Sequence, residues 1–338
     1  MKILKLFANC IPTFGYKRSI ITDLQFGKII PIPNSLYKLL MEFKGRKLEY
    51  ILSHYEVKDH ETITEYFNYL SENKLINPYA DNIDFFPDLS LTWDYPAKVT
   101  NAIIQYSKNY FKESIQQLEH LNCKVINIIY EYYNPVEFVE IIEILNSTSI
   151  LAYEFQLDKM KIINLNDAIL LFQKYNRIQN IFIFNSVCSK IIPRKNFNIY
   201  LMKESFNPFS CGNISYYNFT INIPFFSESQ YYNTCLNRKV GIDKDGFVKN
   251  CLSMNKNYGN IKNITLNEVI SSCEFQKFGC IKKDDIEVCK DCEFRYMCPD
   301  CRAFLKDPGN IYSQPAKCEY NPYIAKWKGE EGYVPVEE

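Results

Sequence analysis

"CKDCEFRYMCPDC" (289–301) sets four cysteines in thirteen residues, as C-x2-C-x5-C-x2-C. Hydrophobic packing asks for no such spacing. C-x2-C places two thiols on one tight turn, near enough to bind the same ion or cluster. Outward from this stretch the pattern lengthens. Upstream stand Cys235, ten residues, Gly246, four residues and Cys251; downstream, Cys318 follows Cys301 after 16 intervening residues. "GIDKDGFVKNC" (241–251) reads as a tight turn between two short strands. Asp245-Gly246 is its turn signal and carries Cys251 back toward Cys235. Nine of the 13 cysteines lie between Cys235 and Cys318. Cys10, Cys123, Cys188 and Cys211 are scattered singly, and each reads as a small buried hydrophobe.

Three occupants compete for the gathered thiols. Disulfides suit an oxidising compartment, and none is expected here. The start, "MKILKLFANCIPTFGY", is broken by Lys5, Asn9 and Pro12 and lacks a signal peptide's apolar core. No window approaches 18 uninterrupted apolar residues, so no membrane span is expected. The expected compartment is the cytoplasm, where disulfides are rare and clustered cysteines bind metal. Structural zinc uses paired C-x2-C units, but about 15–20 residues usually separate them, against five here. Iron–sulfur clusters take thiolates at C-x2-C spacing and further ones from afar. Spacing favours iron–sulfur modestly and leaves zinc open.

The rest of the 338 residues is 47% hydrophobic and 15% aromatic, enough for two or three domains with real cores. Lys+Arg equals Asp+Glu at 39 each, so no basic field points to nucleic acid. The reading is α/β in three parts. Residues 1–80 form a winged-helix-like unit. "KILKLFANCI" and "RSIITDLQF" flank the turn-forming "PTFG" as a hairpin. "KIIPIPN" then leads into a helix, "SLYKLLMEF", with Asn34 as N-cap. "LEYILSHY" and "TITEYFNYLSENKL" are the second and third helices, and Ile63, Phe67 and Leu70 share a face of the last. That helix carries no concentrated Lys/Arg face. Residues 81–225 open with a linker, 81–95, and continue as alternating strands and helices. The strands are "AIIQY", "VINIIYEYY", "LAYEFQL", "NIFIFN" and "FNIYLM". The helices are "FKESIQQLEHL", "VEFVEIIEIL", with Asn134 as N-cap, Pro135 at N1 and Glu137 closing a capping box, and "LNDAILLFQKY". This rhythm predicts a parallel sheet or partial β/α barrel covered by helices. Residues 226–338 are turn-rich and thiol-rich, with a solvated end, "KGEEGYVPVEE". Such a region calls for a metal staple.

The arrangement C…G-x4-C…C-x2-C-x5-C…C resembles the SPASM domain of radical-SAM peptide maturases, which holds auxiliary 4Fe–4S clusters. The usual form places three residues between the third and fourth cysteines of the quartet; this chain has two. "KDCEFRYMCPDCRAFLKDP" and "YSQPAKCEYNPYIAKW" look like the SPASM maturase of the grasp-with-spasm peptide systems. The specific part of the resemblance is residues 230–328. It implies one or two 4Fe–4S clusters, a ribosomally made precursor peptide and an ATP-grasp ligase as partner. Carried over, Cys289, Cys292, Cys298 and Cys318 match the ligands of the second auxiliary cluster. Cys235, Cys251 and Cys301 match three ligands of the first. Its fourth ligand, or an open iron, is unassigned. Cys273 and Cys280 stand nearby in sequence, and each reads first as an incidental thiol.

A radical-SAM enzyme needs a C-x3-C-x2-C loop after its first barrel strand. After "AIIQY" this chain has "SKNYFKESIQQLEHL", without a cysteine. No S-adenosylmethionine site is therefore expected in the middle domain. His54, His60 and His120 read as surface or packing residues, and the 11 glycines form no phosphate-cradling loop. Tyr296, Phe304, Tyr320, Tyr323 and Trp327 read as a hydrophobic shell around the thiols. The expected protein is a cytoplasmic peptide-maturation adaptor. The rivals are a redox enzyme using an open cluster iron and a zinc-stapled DNA-binding regulator.

Overall fold

A computed structural model describes residues 3–77, 87–162, 164–207 and 211–336; the expected linker's first part, 81–86, lies outside them. The chain forms two compact units. One comprises Met1–Trp93, Gly212–Thr234 and Ile281–Glu338; the other, Asp94–Cys211 and Cys235–Cys280.

The first unit begins with strands β1 (Cys10–Thr13), β2 (Ser19–Asp23) and β3 (Lys28–Ile32), which pair antiparallel in the order β1-β2-β3. "KIIPI" is thus a strand, where the sequence suggested only a lead into a helix. It becomes one because Asp23 caps a tight turn. The Asp23 carboxylate accepts hydrogen bonds from the Gln25 and Phe26 amides at 3.0 and 3.1 Å, and Gly27 takes φ +65°. As a result β2 is the central strand. The segment Arg18–Phe26 therefore offers no free edge; the edges are β1 and β3. Helices α1 (Asn34–Glu42), α2 (Leu48–Leu52) and α3 (His60–Glu72) follow. Asn34 lies inside α1 and caps nothing. Its amide instead donates to the Gly15 and Tyr16 carbonyls, and its oxygen accepts from Ser19, so it ties α1 to the β1–β2 connection.

Every residue of β2 is buried, and its two faces pack into different cores. Ile21 joins Leu36, Leu39, Phe67 and Leu70 of the helices. Ile20 joins Phe294, Met297 and Tyr320 of the cysteine-rich segment. Each such buried side chain contributes on the order of 1.5–3 kcal/mol.

The second unit is built on an eight-stranded sheet. Its elements are β4 (Asn101–Gln105), α4 (Phe111–His120), β5 (Val125–Tyr130), α5 (Pro135–Asn146), β6 (Ala152–Asp158), α6 (Leu165–Phe172), β7 (Ile178–Phe184), β8 (Lys190–Pro193), β9 (Asn198–Leu201), β10 (Lys239–Ile242) and β11 (Val248–Lys249). The order is β11-β10-β4-β5-β6-β7-β9-β8, parallel from β10 to β9 and antiparallel at both ends. The expected strands and helices of 101–201 appear within a few residues of their expected bounds. Two features were not expected: the short hairpin strand β8, and the parallel pairing with β4 of β10, the first of the two short strands expected around Asp245-Gly246.

The helix face of the sheet is apolar. Tyr153, Phe155 and Leu157 alternate along β6 and pack with Phe138, Ile142 and Phe172. The opposite face carries a polar ladder. Glu154 accepts from Asn127 at 3.2 Å and Asn180 at 2.6 Å, and Gln156 donates to Asn127 at 2.9 Å. The Asn134 side chain caps α5, accepting from the Val136 and Glu137 amides. Glu137 accepts from the Tyr130 hydroxyl at 2.8 Å.

Candidate metal centre

Cys289, Cys292, Cys298 and Cys318 line one cavity in the first unit, together with Lys283, Arg295, Gln314 and Tyr320. Short turns aim them. A single 3-10 turn, Cys289–Asp291, presents Cys289, and the Cys292 amide bonds back to the Cys289 carbonyl at 3.0 Å. Cys298 ends the next turn through its bond to Phe294 O at 3.1 Å. Cys318 is placed by a bond to Pro315 O and a bridge to Ile214. Val288, immediately before Cys289, holds φ +65°. That conformation is a genuine outlier for a β-branched residue and costs on the order of 1–3 kcal/mol. Strain of this kind collects where the surrounding structure must aim a functional side chain.

The thiols sit beside a buried ionic cluster. Lys283 Nζ lies 3.8 Å from Cys289 Sγ and 3.2 Å from Asp300 Oδ1. Arg302 donates to the same Asp300 oxygen at 2.7 Å, and Asn233 donates to the other. Lys283, Asp300 and Arg302 are all under 5% exposed. Two cations against one carboxylate leave an excess positive charge facing the sulfurs. Burial pushes the Cys289 thiol up to about 11 and the Cys298 thiol up to about 12, and raises Cys292 well above the usual range. Burial also pulls Lys283 down, but Asp300 and the surrounding sulfurs outweigh it and hold the ammonium charged. Four soft donors around one space, opposite a buried positive excess, fit an anionic thiolate-ligated centre.

The N-terminal strands brace this segment. Arg18 Nε donates to Glu293 Oε1 at 2.8 Å, and the Tyr320 hydroxyl donates to the same oxygen. The Tyr16 amide donates to Asp291 O at 2.8 Å. Arg295 donates to Asp284 at 3.0 Å and to the Phe14 and Cys292 carbonyls. Gly15 permits the approach: a Cβ there would meet Arg18 O at 2.5 Å and Glu293 Cβ at 2.7 Å. Of the expected aromatic shell, Tyr320 and Trp327 pack with Phe294, Tyr296 and Tyr323 hydrogen-bond to Asp284 and Asp291, and Phe304 lies under Lys317.

The first-cluster residues are distributed differently. Cys235 and Cys251 belong to the second unit, and Cys301 to the first. Cys251 is buried at the end of the β10–β11 hairpin, whose turn Gly246 makes at φ +81°. The Cys251 thiol donates to the Cys211 sulfur, which with burial and the nearby Cys235 raises Cys251. In the first unit, Cys301 Sγ lies against Gly212, where a Cβ would stand 2.8 Å away. Cys273 and Cys280 are exposed thiols. The singly placed cysteines divide: Cys10 and Cys123 are buried as expected, whereas Cys188 and Cys211 are exposed. Among the described residues, no three His, Cys, Asp or Glu side chains converge as ligands of a single metal ion.

At the carboxyl end of β4 and β5, aromatic rings pack together. Tyr106 packs on Phe111 at 5.3 Å and Tyr130 at 5.0 Å, and both tyrosine hydroxyls bond to Glu137. No helix among the described residues is long and apolar enough to cross a membrane.

Residues 234–293 match the SPASM family, an iron-sulfur cluster-binding domain. The match takes in Cys235, Cys251, Cys289 and Cys292 and stops before Cys298. No curated protein matches the chain. Similar solved structures include SuiB of Streptococcus suis, at 11% identity over 93% of this chain and 99% of that chain, with a TM-score of 0.34. SuiB bound to S-adenosylmethionine gives 12%, 93%, 100% and 0.36; bound to the precursor peptide SuiA, 12%, 94%, 100% and 0.31. TM-scores this low decide nothing about activity.

Proposed function

We propose that this chain is a peptide-maturation protein that binds a ribosomally made precursor peptide and carries one or two 4Fe–4S clusters. It acts with an ATP-grasp ligase in a grasp-with-spasm system, in the cytoplasm, as an adaptor and not as a SAM-cleaving enzyme. The observation that carries the reading is the set Cys289, Cys292, Cys298 and Cys318 around one cavity, backed by Lys283. By the SPASM pattern these four hold the second cluster, and Cys235, Cys251 and Cys301 hold the first. A bound cluster would supply one-electron redox capacity. The protein's own residues give it a cation-flanked pocket in which Cys289 and Cys298 are buried.

The winged-helix reading of the N-terminal strands and helices supplies the peptide site. An extended peptide adds to a sheet edge and places side chains against a neighbouring helix. With β2 central, β3 is an edge beside α3: its Pro31 carbonyl accepts from Tyr69 at 3.5 Å. The DNA-binding alternative is disfavoured by α3 itself, "HETITEYFNYLSE", which holds three glutamates and no Lys or Arg.

The deciding experiment is anaerobic purification of the full chain, with iron, sulfide and zinc measured together. The protein should be brown, with about four to eight irons and matching sulfide. Stoichiometric zinc without labile sulfide sinks the cluster reading. Titration with the co-encoded precursor should show saturable binding that mutation of β3 weakens. Formation of 5′-deoxyadenosine from S-adenosylmethionine above a no-protein control would overturn the adaptor reading.

A further inference from the structure

We propose that Cys211 is a protein ligand of the first cluster. This rests on the cluster reading above and fills the ligand position that the sequence leaves unassigned. Cys211 stands 24 residues before Cys235, with no local spacing to mark it. Folding brings it to Cys251: the two thiols are within hydrogen-bonding distance, and Cys211 Sγ lies 3.4 Å from the hydroxyl of Ser253, two residues further on. Cys235 is the next thiol in the field of Cys251. Cys211 and Cys251 therefore stand together inside the second unit, with Cys235 the next thiol whose charge reaches Cys251.

The rival candidates lack this company. Cys273 opens a four-residue helix, Cys273–Gln276, and faces solvent; Cys280 is likewise exposed. Cys211 is exposed too, but beside a buried cysteine that the SPASM pattern already assigns as a ligand. Exposure also suits a ligand that must lose its proton: as the iron–sulfur bond forms, the thiol proton passes to solvent.

The consequence reaches the function. Cys301 belongs to the same cluster by sequence pattern, so Cys211 brings its thiolates to four. A cluster with four thiolates has no open iron at which a peptide group could bind directly. The assignment thus favours an electron-transfer or structural cluster over a Lewis-acid site.

The test compares wild type, Cys211→Ala, Cys251→Ala and Cys273→Ala, each full length and reconstituted anaerobically. Iron, labile sulfide and the EPR spectrum of the reduced protein are measured. Cys211→Ala should behave like Cys251→Ala. It either loses the iron and sulfide of one cluster, about half the total if two are present, or keeps them with a changed EPR signal that responds to added thiol. Cys211→Ala matching wild type and Cys273→Ala in metal content and line shape overturns the proposal and leaves the cluster reading standing. Absence of labile sulfide in wild type overturns both. A measurement without substitutions guards against misfolding. In loaded wild type, iodoacetamide should spare Cys211 while alkylating exposed Cys188 and Cys273, and chelation should expose Cys211 to the reagent. Equal alkylation of Cys211 and Cys188 in the loaded protein overturns the assignment.

Discussion

Single residues set the chemistry around the quartet. Lys283 is a buried cation 3.8 Å from a candidate ligand sulfur. A cluster gains negative charge on reduction, so the ammonium stabilises the reduced form. Lys283→Met should shift the second cluster's potential to more negative values, read by EPR-monitored redox titration. An unshifted potential would place Lys283 with Asp300 alone. The buried thiols outside the centre give a pH prediction. Burial pushes Cys10 and Cys123 from an ordinary 9 to about 12. In the unfolded chain these groups lose protons near pH 9, while the folded ones keep them. The unfolded state therefore binds fewer protons between about 9 and 12, and stability should fall as pH rises through that window. Urea midpoints at pH 8 and 10 check the sign; Cys10→Ala and Cys123→Ala together should lessen the difference, the rest of which comes from the other buried thiols and tyrosines. The burial of Cys10 and Cys123 was legible in sequence, where each is a lone cysteine; the setting of Lys283 and of Cys211 was not. Lys283 is one of two adjacent lysines, and Cys211 carries no neighbouring cysteine.

At the level of elements, strand β2 joins two packing problems. Its Ile21 face serves the helices and its Ile20 face serves the cysteine-rich turns. The connection from β1 to β2 must then pass close to Glu293, and Gly15 is the residue that allows it. Gly15→Ala would drive a Cβ into Arg18 O and Glu293. The expected cost is about 1–3 kcal/mol in urea unfolding. An unchanged midpoint would show that this connection yields freely. Sequence patterning identified the pairing of the two segments and the apolar face of α3, because alternation and the i, i+4, i+7 period are local; the first strand, though, is Cys10–Thr13 and takes in Pro12 and Thr13 of the expected turn. It misassigned β3, because a strand of five residues containing Pro31 lacks a strong local signal. It also misplaced Asn34, whose side chain answers to Gly15 and Ser19, not to its own helix.

For the whole molecule, the cysteine-rich segments are shared between two compact units. The turns at 281–321 in the first unit have few regular hydrogen bonds of their own. Metal binding should therefore couple to their folding. Removing the metal by anaerobic chelation should lower the thermal midpoint and speed amide exchange first in 281–321, while β5, β6 and β7 stay protected. Uniform exchange after chelation would argue that the metal is not a staple.

The sequence by itself determined the α/β rhythm of 101–201 and the thiol-rich character of the last hundred residues. Apolar periodicity and cysteine spacing are written in consecutive residues and need no partner to be read. It also fixed the absence of a cysteine between β4 and α4. Tertiary structure alone decided that β2 is central, that β10 crosses from the cysteine-rich stretch to pair with β4, and that Lys283 and Asp300 lie against the quartet. It alone brought Cys211 to Cys251. Each of these depends on which distant segments fold onto one another, and strand order and buried charge pairing leave no local periodicity in the chain.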